Sequence, residues 1–399
     1  MLVGTYLLTM MADNVEHVIS YWMAYQQFHS PALGGFAVVS HWLPFLLFSV
    51  PVGTLTERFD PRRVIQCGMG LFMLASAGWA WFFLTDTLEI WHAMVLLVIH
   101  GCAGVLWQVG TQMLLYEMLP AEQLSSGVRL LATARSLGVL VGPAVGGLLM
   151  LTLGPRWGLV ANVLLFLPNV LWLWKAPYGP RFRTTPAAPP RPVRGFADIV
   201  RTAREVRSSP LLVSMILLAG LTSLFVGNSY QAQMPAFAID LGHGEADITY
   251  SVLLAADAAG ALTAGLLLES RGRLLRVSPG NAIGMAIAWC CALAAFAATS
   301  SYVFALALLF AAGVCELAFN AMAQALVQLN APVESRGRVI GLFNMSSLGM
   351  RAFSGVTVGL GGSAIGIHGS LALSAIALAI VLLVLAAWLR RQALDQRGR

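Results

Sequence analysis

The sequence predicts an all-α membrane protein of twelve transmembrane helices, arranged as two six-helix pseudo-symmetric bundles. Three observations carry that prediction. Hydrophobic residues make up 58 % of the 399 residues and charged residues only 11 %, under half the roughly 25 % found in a soluble domain. The apolar residues gather into segments of about 20, the length a helix needs to cross the hydrocarbon. Landmark residues also recur at a fixed offset of 212 positions. A chain of this composition cannot cover its own surface with polar groups. A disordered protein, a secreted disulfide scaffold and a cytosolic enzyme are therefore excluded.

The segments run near 2–27, 33–56, 64–85, 91–116, 126–151, 156–175, 210–234, 247–268, 279–299, 302–328, 338–362 and 369–390. Continuous helices suit lipid because each satisfies its own backbone hydrogen bonds. The 39 glycines fit close helix packing in a bilayer. The first segment is long and shows no cleavage site, so it reads as a span and not a signal peptide.

Charge placement orients the spans. Arg58, Arg62 and Arg63 follow span 2, and Arg129 opens span 5. Lys175, Arg181, Arg183, Arg191, Arg194, Arg201, Arg204 and Arg207 lie between spans 6 and 7. Arg271, Arg273 and Arg276 follow span 8, Arg336 and Arg338 follow span 10, and Arg390, Arg391, Arg397 and Arg399 close the chain. That places 21 of the 24 Lys and Arg residues on one side. Arg156 lies on the other, and Arg135 and Arg351 lie within spans. The positive-inside rule then puts both termini in the cytoplasm of an inner (plasma) membrane protein. The net charge of +6 reflects topology and lipid headgroups, and no nucleic-acid partner is expected.

The one long polar stretch, 176–209, separates bundle 1–175 from bundle 210–399. Six prolines from Pro177 to Pro192 keep its first part extended. From Phe196 to Arg207 it is amphipathic, with Phe196, Ile199, Val200 and Ala203 on a face opposite Arg201, Arg204 and Glu205. The pattern predicts a short helix on the inner membrane surface. The two halves repeat: Gly53, Leu55 and Glu57 correspond to Gly265, Leu267 and Glu269. Likewise Gly68 corresponds to Gly280, Pro120 and Glu122 to Pro332 and Glu334, and Gly147 to Gly359.

The loop after span 2 reads Gly53-Thr-Leu-Thr-Glu57-Arg58-Phe-Asp60-Pro-Arg62-Arg63. With the parallel six-plus-six repeat, it resembles the loop signature of the major facilitator superfamily. Asp60 stands where the family usually has Gly. A weaker copy runs from Gly265 to Arg273 and includes Glu269. The resemblance implies the major facilitator fold and transport by rocking two bundles about a midplane site. It also implies that Gly53, Glu57, Arg58, Arg62, Gly265, Glu269 and Arg273 form charge latches holding one face closed. The alternative is that these charges serve only as topology signals. Gly138-xxx-Gly142-Pro143-xx-Gly146-Gly147 in span 5 resembles the glycine-proline signature of the family's antiporters. It implies a thinned, bent helix at Gly138, Gly142, Pro143 and Gly146, tight packing being the other reading. Arg135-Ser-Leu-Gly138, Glu334-Ser-Arg-Gly-Arg338 and Gly349-Met-Arg351 resemble the enterobactin-exporter-like branch of siderophore and drug exporters.

Charges inside spans are expensive and usually line a cavity. Asp13, Glu16 and His17 are spaced i, i+3, i+4 on span 1, so they share a face. Two acids and a histidine there predict a proton-coupling site, extended by Asp257 and Glu316; a neutral hydrogen-bonded cluster is the alternative. Candidate substrate contacts are Asn14, Tyr21, Gln108, Gln112, Arg135, Asn228, Gln231, Asn320, Gln324 and Arg351. Polar stripes of this kind also glue helices together. His41, His100, Trp42, Trp107, Tyr21 and Trp22 offer faces to an aromatic cargo, or serve as packing.

No cofactor is expected. The five cysteines form no CxxC, and Trp174 before the single lysine, Lys175, rules out a Walker A loop. Glu16-His17 alone is too little for a metal site, so no metal is expected. No catalytic constellation appears, so an enzyme is not expected. The sequence reads as a monomeric, proton-coupled secondary active exporter of an amphipathic small molecule, a siderophore or a drug. A proton-coupled importer, a uniporter, a lipid flippase and a non-transporting receptor or scaffold remain open beside it.

Overall fold

The computed structural model describes residues 1–28, 31–176, 195–227, 229–232, 234–241, 248–270, 276–354 and 365–397. They are helical with no strand among them. In order, the first bundle's helices are α1 Leu2–Phe28, α2 Pro31–Arg58, α3 Pro61–Thr85, α4 Ile90–Met118, α5 Ala121–Leu153 and α6 Pro155–Leu173. Then follow α7 Ala197–Val206, α8 Pro210–Phe225, α9 Ser229–Ala232, α10 Met234–Asp240, α11 Ile248–Ser270, α12 Pro279–Ala298 and α13 Tyr302–Asn330. A 3₁₀ turn, Val333–Ser335, leads into α14 Arg336–Asn344, the π-helical turn Met345–Gly349 and α15 Arg351–Ser354; α16 Ile367–Arg397 closes the chain.

Local chemistry sets the starts of these helices. Proline occupies the first turn of α3, α6, α8 and α12, where its missing N–H costs nothing. Asp60, Ser209, Ser278 and Ser301 cap α3, α8, α12 and α13 by accepting from backbone N–H groups. Asp60, the departure from the family's loop pattern, thus has a structural role.

Among the described residues nine helical stretches are long and apolar enough to cross a membrane. They lie in α2 to α6, in α8 running into α9, and in α12, α13 and α16. The other three predicted spans fall on α1, on α11 with its shorter apolar part Val252–Leu266, and on Arg336–Ser354. The described helices are therefore consistent with twelve spans. One expectation needs correction. Span 7 was expected as one helix over 210–234, but α8 ends at Phe225 and the chain restarts at Ser229. Gly227 adopts φ 49° there, which ends a right-handed helix. The predicted short helix between the bundles is present as α7; Phe196, Val200 and Ala203 are exposed and Ile199 half-buried, while Asp198 and Thr202 are fully buried. Thr54 Oγ1 donates to Asp198 at 3.2 Å and Arg201 reaches it at 2.5 Å, which satisfies the buried carboxylate.

The chain forms two compact units. The first comprises Met1–Gly127, Ala134–Thr202 and Pro332–Met345; the second comprises Val128–Thr133, Ala203–Ala331 and Ser346–Arg399. Adding the repeat offset of 212 puts Val128–Thr133 on 340–345, so the two exchanged segments correspond. In the first unit α3 packs on α4 and α6, α2 on α4, and α14 on α2. Its core includes Val15, Ile19, Trp79, Phe83, Leu97 and Leu159. In the second unit α13 packs on α11 and α12, and α12 on α16, with Trp289, Phe296 and Leu309 buried. Lipid is as apolar as these side chains, so close packing and hydrogen bonds hold the helices together.

Candidate functional site

Small residues set the approaches that build the polar clusters. A Cβ on Gly101 of α4 would collide with the carbonyl of Ser40 on α2. That close approach brings His41 of α2 beside His100 of α4. Gly142 of α5 sits against α1: a Cβ there would lie 2.5 Å from the Asn14 Cβ, and one on Gly138 would lie 2.7 Å from the Met10 Cβ. Gly146 is in ordinary contact with Val15, and α5 continues through Pro143.

The first unit buries a continuous polar network. His100 Nδ1 is 2.8 Å from Glu16 Oε1, and His100 Nε2 is 2.8 Å from Asp13 Oδ1. Ser76 of α3 donates to the other Glu16 oxygen. Asn162 of α6 donates to Ser76 at 3.1 Å. His17 lies one turn from Asp13, at 3.9 Å, and its ring meets those of His41 and His100 edge-on with centroids 4.8 and 4.6 Å away. Tyr21 stands edge-on to His17 at 5.0 Å. His41, His100, Ser76 and Asn162 come from four helices far apart in sequence. Of these, only the histidines drew notice in the sequence, as aromatic surfaces. The available signal was a polar residue interrupting an apolar helix.

The second unit holds another cluster. Tyr230 Oη lies 3.1 Å from Asp257 Oδ2 and 3.1 Å from Glu316 Oε2. Gln231 donates to the same Asp257 oxygen at 2.9 Å. Asp257 Oδ1 is buried with no hydrogen-bond partner among the described residues. A Cβ on Gly313 of α13 would collide with the Asp257 carbonyl, so α11 and α13 approach closely where the two acids meet.

A third cluster joins α2 to α14 within the first unit. Glu57 accepts from the Arg338 backbone N–H at 2.9 Å, and the Arg338 Nε lies 3.3 Å from its other oxygen. The backbones of Gly53 and Gly337 touch, with no room for a Cβ on either. Arg62 chelates Asp60 at 2.8–3.2 Å and donates to the Ala176 carbonyl at 2.8 Å. Arg58 instead lies over the Phe59 ring, 5.4 Å from its centroid. Gly265 approaches Thr133 in the second unit. Arg273 and the side chain of Glu269 lie outside the described residues, as does Asn228.

The remaining candidates are placed as follows. Gln108 accepts from the Tyr6 hydroxyl at 3.1 Å, and Gln112 and Asn344 exchange two hydrogen bonds at 3.0 and 3.1 Å. Asn14 and Asn320 each donate to the carbonyl four residues earlier on their own helix. Arg135, Gln324 and Arg351 are half-buried.

Long apolar helices packed around buried acids and histidines define a multi-pass membrane transporter, and nothing in this geometry assembles a catalytic centre among the described residues. The family model described as Major Facilitator Superfamily matches residues 2–354 and 244–398. The chain belongs to the Major Facilitator Superfamily. It is 24 % identical over 373 residues to the uncharacterized MFS-type transporter YfiS of Bacillus subtilis (strain 168), covering 84 % of this chain and 81 % of the relative. Its fold is similar to that of the major facilitator transporter FucP in the outward conformation, with TM-score 0.76, 13 % identity and 97 % of each chain covered. It is also similar to the human organic anion transporter MFSD10, with TM-score 0.73, 14 % identity, and 96 % and 98 % covered. A bacterial homologue of the iron transporter ferroportin matches with TM-score 0.71, 17 % identity and 98 % of each chain covered. These structural likenesses establish the fold.

Proposed function

We propose that the chain is a proton-coupled exporter of an amphipathic small molecule, of the siderophore or drug kind, working by alternating access in the inner membrane with both termini cytoplasmic. The observation that carries the coupling is the phenol of Tyr230 held 3.1 Å from a carboxylate oxygen of both Asp257 and Glu316. A tyrosine hydroxyl has one hydrogen to give. Two ionised acids around one donor repel each other, and a proton held on one of them relieves that repulsion. We read the pair, Asp257 buried and Glu316 half-buried, as the place where one proton is held and released. Losing that proton leaves two negative charges around one phenol in a site of low polarity. The bundle then gains from opening the site to water, which links proton movement to conformation. Arg135, Gln324 and Arg351, half-buried along their helices, are the proposed cargo contacts.

The glycine-rich stretch packed on α1 from Gly138 to Gly146 supports export over import, through its resemblance to the antiporter pattern. The test uses purified protein in liposomes with an imposed pH gradient and a panel of siderophores and cationic dyes. Antiport gives proton flux opposite to cargo, lost in Asp257→Asn. Flux in the same direction would make the protein an importer by symport, and cargo equilibration without proton flux would make it a uniporter. Movement of labelled lipid alone would make it a flippase. Binding of a panel member without any movement would make it a receptor.

A further inference from the structure

We infer that the histidine cluster of the first unit is a coordination site for a divalent transition-metal ion of the zinc, cobalt and nickel class. His17 of α1, His41 of α2 and His100 of α4 each direct a ring nitrogen to one place, and these three atoms lie within 4.8 Å of one another. Asp13 adds a carboxylate, its Oδ1 2.8 Å from His100 Nε2 and its Oδ2 3.9 Å from His17 Nδ1. The three imidazoles form the ligand set, and the Asp13 carboxylate lies beside two of them.

A second observation points to a ligand. His41 Nδ1 is buried and has no hydrogen-bond partner among the described residues. A buried polar atom left unpaired costs about 1–3 kcal/mol. Beside it His100 is bonded through both ring nitrogens, to Glu16 and Asp13, so the unpaired His41 nitrogen marks where one bond is still to be made. The surroundings are also those of a coordination site. Ligating histidines commonly give their second nitrogen to a carboxylate, which fixes the tautomer and aims the ring. Here Glu16 takes His100 Nδ1 at 2.8 Å, Ser76 holds Glu16, and Asn162 holds Ser76. His100 Nε2 meets Asp13 Oδ1 at 2.8 Å, so an ion at this place would take over that contact.

The geometry is within reach. Zinc–nitrogen bonds of about 2.0–2.1 Å put tetrahedral ligand atoms roughly 3.3 Å apart. The three nitrogens must therefore close by about 1.5 Å at most, chiefly by rotation of the His17 ring, which is more exposed than that of His100. The His17 side chain keeps 20 % exposure while those of His100 and Asp13 keep 4 % and 7 %, so His17 is the entry side. Imidazole donors favour zinc, cobalt, nickel and copper(II) over magnesium and calcium. Asp13 and Glu16 together offset the charge of a divalent ion, which is what allows it to be buried.

The experiment uses the full chain without an affinity tag, washed with chelator and titrated with cobalt(II) in detergent. The expected result is one ion per chain, with the intense visible absorption of four-coordinate cobalt. Zinc should displace it and excess magnesium should not. Affinity should fall about tenfold or more in His41→Gln and in His17→Gln, and stay unchanged in Asp257→Asn. His41 Nδ1 makes no hydrogen bond among the described residues, so His41→Gln tests the site even if His100→Gln fails to fold; thermal unfolding confirms that the variant is intact. Absence of binding, the weak spectrum of six-coordinate cobalt, or binding unchanged in both histidine variants would overturn the assignment and leave the rings as packing. The proton cluster lies in the other unit, so this result and the transport result stand or fall separately.

Discussion

Glu57 accepts a hydrogen bond from the backbone N–H of Arg338 and, with its second oxygen, faces that same residue's guanidinium at 3.3 Å. One carboxylate thus meets both the start of α14 and a side chain with no solvent exposure. Helix N-termini and cations both favour a negative charge. Glu57→Gln keeps an acceptor for the N–H but removes a negative charge 3.3 Å from the buried guanidinium. Breaking a buried pair costs about 3–5 kcal/mol. The expected outcome is a clear drop in thermal unfolding temperature in detergent and faster exchange between conformers by distance measurement, with cargo affinity little changed. A large affinity loss at unchanged exchange would refute this role.

Gly53 and Gly337 meet backbone to backbone. Gly337→Ala should push α14 from α2 and weaken the Glu57–Arg338 contact as strongly as Glu57→Gln does. The two changes in one chain should therefore destabilise far less than the sum of the singles. Thermal unfolding of the single and double variants measures this.

Asp60→Gly would restore the residue usual in the family's loop. It removes the cap of α3 and the partner of Arg62. Loss of such a cap costs about 0.5–2 kcal/mol. A small fall in stability without loss of transport is expected, checked by unfolding and by flux in liposomes.

Tyr230→Phe removes the hydroxyl shared by Asp257 and Glu316. Proton-driven cargo movement should slow by on the order of 100-fold, while cargo exchange without a gradient persists. Equal loss of both activities would show that the tyrosine serves folding alone.

The membrane class and most helices were legible because long apolar runs are a local signal. Asp13, Glu16 and His17 could be placed on one face for the same reason. The break at Gly227 was not legible, since an apolar run does not reveal a backbone of φ 49°. Nor was the histidine cluster. His17, His41 and His100 sit on three helices, and their meeting depends on how closely α4 passes α2 at Gly101 and Ser40. The sequence offered Glu16-His17 as too small a ligand set. Packing is what enlarges it. The burial of Asp198 in α7 was not legible either, since it depends on Thr54 of α2, which hydrophobic periodicity cannot anticipate.

The chain passes from the first unit to the second between Met345 and Ser346, inside the π-helical turn Met345–Gly349. A π turn stores one residue more than the α-helical ladder needs. Absorbing that residue into regular helix would rotate everything beyond it by about 100° and advance it by about 1.5 Å. Arg351 would then point a new way while Arg338 kept its place beside Glu57. The spare residue thus sits where the chain leaves the first unit, between the helix that Glu57 anchors and the segment that carries Arg351.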